Sequence, residues 1–465
     1  MMLRFLFLLA ICLYLLSNLV SQPILDMFLS AVSFLIVLFS VIFVSKIVLT
    51  FGLVFLFTGT MMLINSSVEW THYLFAFGEM LNLITLFALI PILALPIKLG
   101  KYEYEVEAVI QKKIKSTGQL YMVSSSMSYF LSSFMNLAAL PMTYYSISPS
   151  VRIFTIKNKE RFLSRSITHG FAMPLLWTPV TPIVGTVIEM TGVSYSSILP
   201  ILIPLSIVGL LLDWAIAHIY AKKSKAIRME GAASEEIKRS NQEVSASKEG
   251  KSIFRLFHIL AAIVLLNIVI LTTEQFMDLS FLFLISLLVI PFSFTWTLFL
   301  RKEREYITGL KNHFKTQIIK MKDQFFLFLS AGFFISAMNI SGTNQTINDC
   351  LSSIIEMIGI EMVLVVLPFV PVTLAFIGLH PAIAFVLIVE AINAGDLGLS
   401  PIVMTIALLG GSVPAFLMGP YNATLGIMSN IVKKTPFKIS NWNFPFCFAY
   451  LAGVVIFLQV AHFVL

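Results

Sequence analysis

The chain has 465 residues, of which 58% are hydrophobic and 12% charged, with a net charge of +7. An average soluble domain carries about 25% charged residues, so this chain cannot clothe itself in polar surface, and a soluble globular protein is excluded. The positive charge lies between the apolar runs, where it orients membrane spans by the positive-inside rule; nucleic acid is not an expected partner.

Apolar runs longer than the roughly 18–20 residues that cross about 30 Å of hydrocarbon recur along the chain, without the period-2 alternation of a barrel. Backbone polar groups in lipid must pair internally, which leaves helices. The expected fold class is all-α: a polytopic transmembrane helical bundle of about 10 to 12 embedded segments.

The opening MMLRFLFLLAICLYLLSNLVSQ has no small-x-small cleavage site and is expected to stay as the first span, with a cytoplasmic N-terminus. Further spans are expected over 24–45, 47–65, 72–97, 170–191, 195–220, 256–272, 278–300 and 445–464, and less regular apolar stretches fill 119–147, 325–340, 362–395 and 400–432. Residues 1–71 read as scaffold spans, 72–221 as a first repeat, 222–255 as a basic cytoplasmic linker and 256–465 as a second repeat. The basic stretch from Arg301 to Lys322 reads as an interfacial amphipathic helix.

Basic residues flank 119–147 on both sides and belong on one face, so this segment must enter and return. About 29 residues are too few for two full spans, and a re-entrant helical hairpin resolves the count. Its middle, Ser132 to Asn136, is polar where a plain span is most apolar. Shifting the chain by 286 residues superposes YFLSSFMNLAALPM (129–142) on AFLMGPYNATLGIM (415–428), pairing Asn136 with Asn422, and makes 400–432 the expected second hairpin. In WTPVTP, Pro179 and Pro182 interrupt the span over 170–191, so that stretch is expected to unwind beside a cavity or protein. Paired interruptions of this kind are the sequence mark of a transporter's midplane site.

This pattern, over about 72–464, resembles the ion transporter superfamily, which includes divalent-anion/sodium symporters, citrate carriers and the large membrane subunits of TRAP-type carriers. The resemblance implies two inverted repeats, each with a re-entrant hairpin carrying a Ser-Asn-Thr type tip and then a span unwound at mid-membrane. It assigns substrate contacts to Ser132, Ser133 and Asn136 at one tip, to Gly419, Asn422 and Thr424 at the other, and to Thr178 and Thr181 in the unwound stretch. Neither tip has a contiguous Ser-Asn-Thr, so sodium and carboxylate specificity do not carry over.

Each candidate has a plainer alternative. The asparagines could only bond helix to helix, and the hydroxyls could bond back to their own helix. His380, in GLHPA, could cap a helix or carry a coupling proton. Glu79 and Glu390 are acidic residues in apolar stretches and candidates for coupling, unless they sit at an interface, where Asp213 and His218 are also expected. INAGDLGLSP has Asn at 393 and no partner carboxylate for aspartyl-protease chemistry. Cys12, Cys350 and Cys447 show no disulfide or zinc spacing, and no cofactor beyond a coupling Na+ or H+ is expected.

The expected function is secondary active transport of a small, carboxylate-like anion by an elevator-like movement in the cell membrane, with the lipid bilayer as its other partner and a homodimer allowed. A TRAP-type membrane subunit needing a binding protein is the alternative. A membrane-embedded enzyme is disfavoured because no catalytic pair is present.

Overall fold

The structure, a computed structural model, describes residues 2–20, 22–100, 114, 116–152, 154, 156–223, 249–392 and 399–464. The middle of the basic linker, most of the 98–115 loop and the greater part of INAGDLGLSP lie outside these residues.

The chain is a polytopic all-α transmembrane bundle, with 11 candidate spans among the described residues. Met2–Leu19 (α1), Pro23–Ser40 (α2) and Lys46–Asn65 (α3) come first, then short Trp70–Phe75 (α4). Leu81–Leu89 (α5) and Ala94–Gly100 (α6) form one span, tightened where Pro91 removes a backbone donor. Thr117–Met135 (α7) and Ala139–Arg152 (α8) pack on each other as a hairpin. Lys159–Ala172 (α9) and Pro182–Thr191 (α10) flank the WTPVTP break, and Tyr195–Lys223 (α11) follows.

The second half runs through Glu249–Phe276 (α12), Phe281–Phe299 (α13), Glu303–Asn312 (α14) and Lys322–Ile340 (α15). The next helix, Thr343–Ile358 (α16), has no buried residue. Ile360–Val366 (α17), Val370–Ile377 (α18) and Pro381–Ala391 (α19) precede Pro401–Met418 (α20), Ala423–Val432 (α21) and Pro436–Val464 (α22).

Order and length repeat at one offset. Pro182–Thr191 corresponds to Ala423–Val432 and Tyr195–Lys223 to Pro436–Val464, each pair 241 residues apart at both ends. The same shift lays α5–α6 on α15 and the α7–α8 hairpin on α17–α19. The expectation of a second hairpin over 400–432 is therefore corrected: that segment is the counterpart of the broken span 159–191, and the second hairpin is 360–391. The 286-residue match paired two apolar strings interrupted by small residues, which similarity of composition alone produces.

Packing repeats at the same offset. Gly170 of α9 faces Ser125 of α7, and an added Cβ would overlap the Ser125 carbonyl; at the equivalent Gly411 of α20 it would overlap that of Pro368. In both halves a missing side chain lets the broken span press on the hairpin's backbone. Across the halves, α10 packs on α19 and α21 on α8. The apolar window of 401–432 is 94% buried against 22% for α3, which puts α20–α21 at the centre and α3 towards lipid.

Counted as crossings, α5–α6, α9–α10, α11, α12 and α13 separate the start of one repeat from the start of the next. Five is odd, so the halves run in opposite directions, whether the hairpin re-enters or crosses twice. The same count brings the start of α1, the α2–α3 junction, the α13–α15 connection and the α21–α22 junction to one face. Contacts agree: Arg4 Nη1 donates to the Lys315 carbonyl at 3.5 Å, the Ser45 N–H to Asp323 at 3.2 Å, and Lys322 Nζ to the Phe43 carbonyl. On the opposite face, Glu189 accepts from Asn82 and the Leu282 N–H, and Glu274 from the Tyr195 and Ser196 N–H groups. Every described Lys and Arg falls at or near the first face, where Glu160, Glu303 and Glu305 also lie; Glu79, Glu189, Glu274 and Glu390 fall towards the second.

Candidate functional site

At the first tip α7 ends at Met135, and Asn136 turns the chain with φ 50° and ψ −134°, a left-handed value rare for a side-chain-bearing residue. Its N–H bonds the Ser132 carbonyl. The Ser132 and Ser133 hydroxyls donate to the Tyr129 and Phe130 carbonyls at 3.0 and 2.8 Å, within their own helix. The Ser133 carbonyl accepts from Thr178 Oγ1 at 2.7 Å, which seats the broken span on the hairpin tip. Trp177 Nε1 donates to Tyr129 Oη at 2.9 Å, and the Trp177 carbonyl accepts from Tyr195 Oη at 2.8 Å. Thr181 stands at the N-cap of α10, where Pro182 occupies the first turn without costing a bonded N–H.

At the second break Gly419, Pro420 and Tyr421 separate α20 from α21. A helix leaves its last carbonyls without intrahelical donors; here side chains reach those of residues 415 to 418, the Ala415 carbonyl also accepting from the Gly419 N–H at 3.0 Å. Asn422 Nδ2 donates to the Ala415 and Phe416 carbonyls at 3.1 and 2.9 Å, Asn443 Nδ2 to that of Leu417 at 2.8 Å, and Ser440 Oγ to that of Met418 at 2.7 Å. Asn422 Oδ1 also caps α21, accepting from the Leu425 N–H at 2.9 Å. The backbone near 422 is thus filled by the protein's own amides. Buried Thr424 Oγ1 has no hydrogen-bond partner.

At the 241-residue offset Thr178 matches Gly419 and Thr181 matches Asn422, while Asn136 matches Ile377. Asn136 and Asn422 are therefore not equivalent residues. His380 is the N-cap of α19: its Nδ1 accepts from the Ala382 N–H at 3.2 Å, and its ring meets Phe87 and Phe328 edge-on at 5.5 and 5.3 Å.

Glu79 and Glu390 line one cavity of about 130 Å³ with Glu189, Asn82 and Thr186. Asn339 Nδ2 donates to Glu390 at 2.6 Å and Ser336 Oγ to Glu79 at 3.4 Å. Among the described residues, no three His, Cys, Asp or Glu side chains converge to hold a metal ion.

A further polar group was not foreseen from sequence. Asp213, expected at an interface, is fully buried together with His169 and Asn443, and Tyr121 is 5% exposed; His218, five residues on, is partly exposed. Asp213 Oδ1 lies 2.6 Å from His169 Nδ1 and accepts from Tyr121 Oη at 2.9 Å, while His169 Nε2 lies 3.1 Å from Asn443 Oδ1. The quartet joins α7, α9, α11 and α22. Its available signal was Asp213 as the lone acidic residue of the apolar span 195–219.

No family model and no curated protein matches the sequence. The fold is similar to that of the Alcanivorax borkumensis YdaH transporter, described as having an unusual topology, with a TM-score of 0.59 and 12% identity over 88% of this chain and 98% of that one. It is also similar to that of Neisseria gonorrhoeae MtrF, of a class of antimetabolite efflux pumps, with a TM-score of 0.56 and 12% identity over 89% of this chain and 95% of that one.

Proposed function

We propose that the chain is a secondary active transporter of a small anionic, carboxylate-like solute, coupled to H+ or Na+. The observation that carries this reading is the pair of hairpin tips, each backed by a broken span, in two halves that face opposite ways. Helices α8, α10, α19 and α21 all begin at these interruptions, and α10 packs on α19 as α8 does on α21. Helix N-termini offer free N–H groups and the positive dipole end, which suits an anion. Asn136, Thr178, Thr181 and Thr424 lie within four residues of the starts of α8, α10 and α21 and are its proposed contacts. Ser132, Ser133, Gly419 and Asn422 serve to hold the breaks open.

Similarity of fold to a transporter and an efflux pump supports carriage across the membrane, and membership of the ion transporter superfamily remains part of the proposal. The repeat geometry is compatible with an elevator-like movement of both tips together. Placement of the basic ends on one face supports a cytoplasmic N-terminus in the cell membrane. The cavity with Glu79, Glu189 and Glu390 repels an anion, and it suits the entry path of the coupling cation.

The test is a thermal-shift screen of small mono- and dicarboxylates, with and without sodium, on the purified protein in lipid. Saturation at about 100 Kd stabilises the folded state by about 2.7 kcal/mol, so a true solute raises the melting temperature visibly, and imposed gradients then drive its flux in proteoliposomes. Absence of any carboxylate response, with flux of a cationic solute instead, would refute the anionic reading.

A further inference from the structure

The His169–Asp213 contact fixes how many protons the quartet holds. Asn443 Nδ2 donates to the Leu417 carbonyl, so its Oδ1 faces His169 Nε2, which must then carry a hydrogen. At 2.6 Å, Nδ1 and Asp213 Oδ1 need a second hydrogen between them, whichever atom owns it, because two bare acceptors repel at that distance. The conformation described is therefore proton-loaded. Removing that proton leaves the Asp213 carboxylate without an imidazolium partner in a fully buried site, with Arg165 the cation that remains nearby.

The repeat supplies the comparison that separates structural need from function. At the 241-residue offset Tyr121, His169 and Asp213 correspond to Met362, Gly410 and Val454, and Asn443 to Leu202. Gly410 and Val454 touch in the second half as His169 and Asp213 do in the first. One packing position is built once from apolar residues and once from an ionisable set, so the architecture does not require charge there. Burying ions costs several kcal/mol each before pairing, and apolar residues would fill the site at less cost.

We propose that the Tyr121–His169–Asp213–Asn443 quartet is the site where the carrier takes up and releases its coupling proton. The inference rests on the reading of the chain as an ion-coupled carrier and names the ion. Around the imidazole, α7 contributes Tyr121, α11 contributes Asp213, and α22 contributes Asn443, Cys447 and stacked Phe446, while Arg165 is on the same helix as His169. Of the other helices packed on α9, α20 and α21 have no ionisable side chain and α8 carries Tyr144, Tyr145 and Arg152. Asp213 Oδ2 is buried and lacks a hydrogen-bond partner, leaving a second oxygen to receive the proton. Loss of the proton changes what Asn443 meets at Nε2, and Asn443 holds the Leu417 carbonyl at the edge of the second break. Protonation in the first half is thereby tied to the interruption in the second.

The experiment is pH-difference infrared spectroscopy on the purified full-length protein in lipid, between about pH 4 and about pH 10, with proton release counted by an indicator dye. The wild type is expected to release about one proton per chain from this site, with carboxyl and imidazole bands that both vanish in Asp213→Asn. A second variant, Tyr121→Met with His169→Gly, Asp213→Val and Asn443→Leu, copies the other half; it is expected to stay folded and to lose the same bands. A wild-type spectrum silent at these groups, or bands unchanged in Asp213→Asn, overturns the proposal. The carrier reading is judged separately by the carboxylate thermal shift, which does not depend on these bands.

Discussion

Replacing Gly411 with alanine tests the repeat and its close packing together. The nearest atoms to an added Cβ are backbone: the Pro368 carbonyl oxygen overlaps it, and the Pro368 C and Cα lie at 3.1 Å. No side-chain rotation relieves such a clash, so α20 and the α17–α18 arm must separate by on the order of 1 Å. Overpacking of this kind costs about 1–3 kcal/mol. Gly426 of α21 is the internal control, since nothing lies within 4 Å of a Cβ there, and glycine to alanine in an open helical position gains up to about 1 kcal/mol. The two variants are therefore expected to shift in opposite directions and to differ by about 1–4 kcal/mol, read as thermal unfolding in lipid. Gly170→Ala, equivalent by the repeat, is expected to follow Gly411→Ala. If all three melt together, the backbone contact does not exist and the 241-residue correspondence loses its packing support.

Asn422→Ala removes a cap and uncovers the Phe416 carbonyl, while that of Ala415 keeps the Gly419 N–H; at about 0.6–1.7 kcal/mol for each of three hydrogen bonds inside a membrane, a loss of about 2–4 kcal/mol is expected in equilibrium unfolding. A loss below about 0.5 kcal/mol would mean the three bonds are not made. Single cysteines at Lys159 and Lys434 are expected to react with an impermeant thiol reagent from the same side, and one at exposed Ser194 from the other. Labelling of Lys159 and Lys434 from opposite sides would break the crossing count. Thr178→Val is expected to lower solute affinity by about fivefold through loss of a bond worth about 1 kcal/mol between break and tip, measured as a displaced thermal-shift titration; unchanged affinity would detach the break from the site.

Much of the architecture was legible because hydropathy and charge are local properties. The spans, the polar interruption at Ser132–Asn136 and the unwinding at WTPVTP follow from residue types within a window of about twenty. The partner of the first hairpin was not legible, because α17–α19 is apolar and its tip holds Gly378, His380 and Pro381, with none of the serines that mark the first. Length and order identify it, and these appear only when helix ends are known. Placing that hairpin at 360–391 also removes the conflict that lysines 433, 434 and 438 would pose on an outer loop, since the crossing at 401–432 returns them to the basic face.

The site divides the same way. Sequence by itself determined that this is a helical membrane protein, that its helices break near Asn136, Thr178–Pro182 and Gly419–Asn422, and which face its basic residues mark, because each of these follows from the cost of exposing polar backbone or charge to hydrocarbon. Only the tertiary structure decided that Asn422, Asn443 and Ser440 close the carbonyls of one break, and that Tyr121, His169, Asp213 and Asn443 meet. Those residues are separated by up to 322 positions along the chain. Their proximity is set by which helices pack together, a cooperative outcome that no local pattern records.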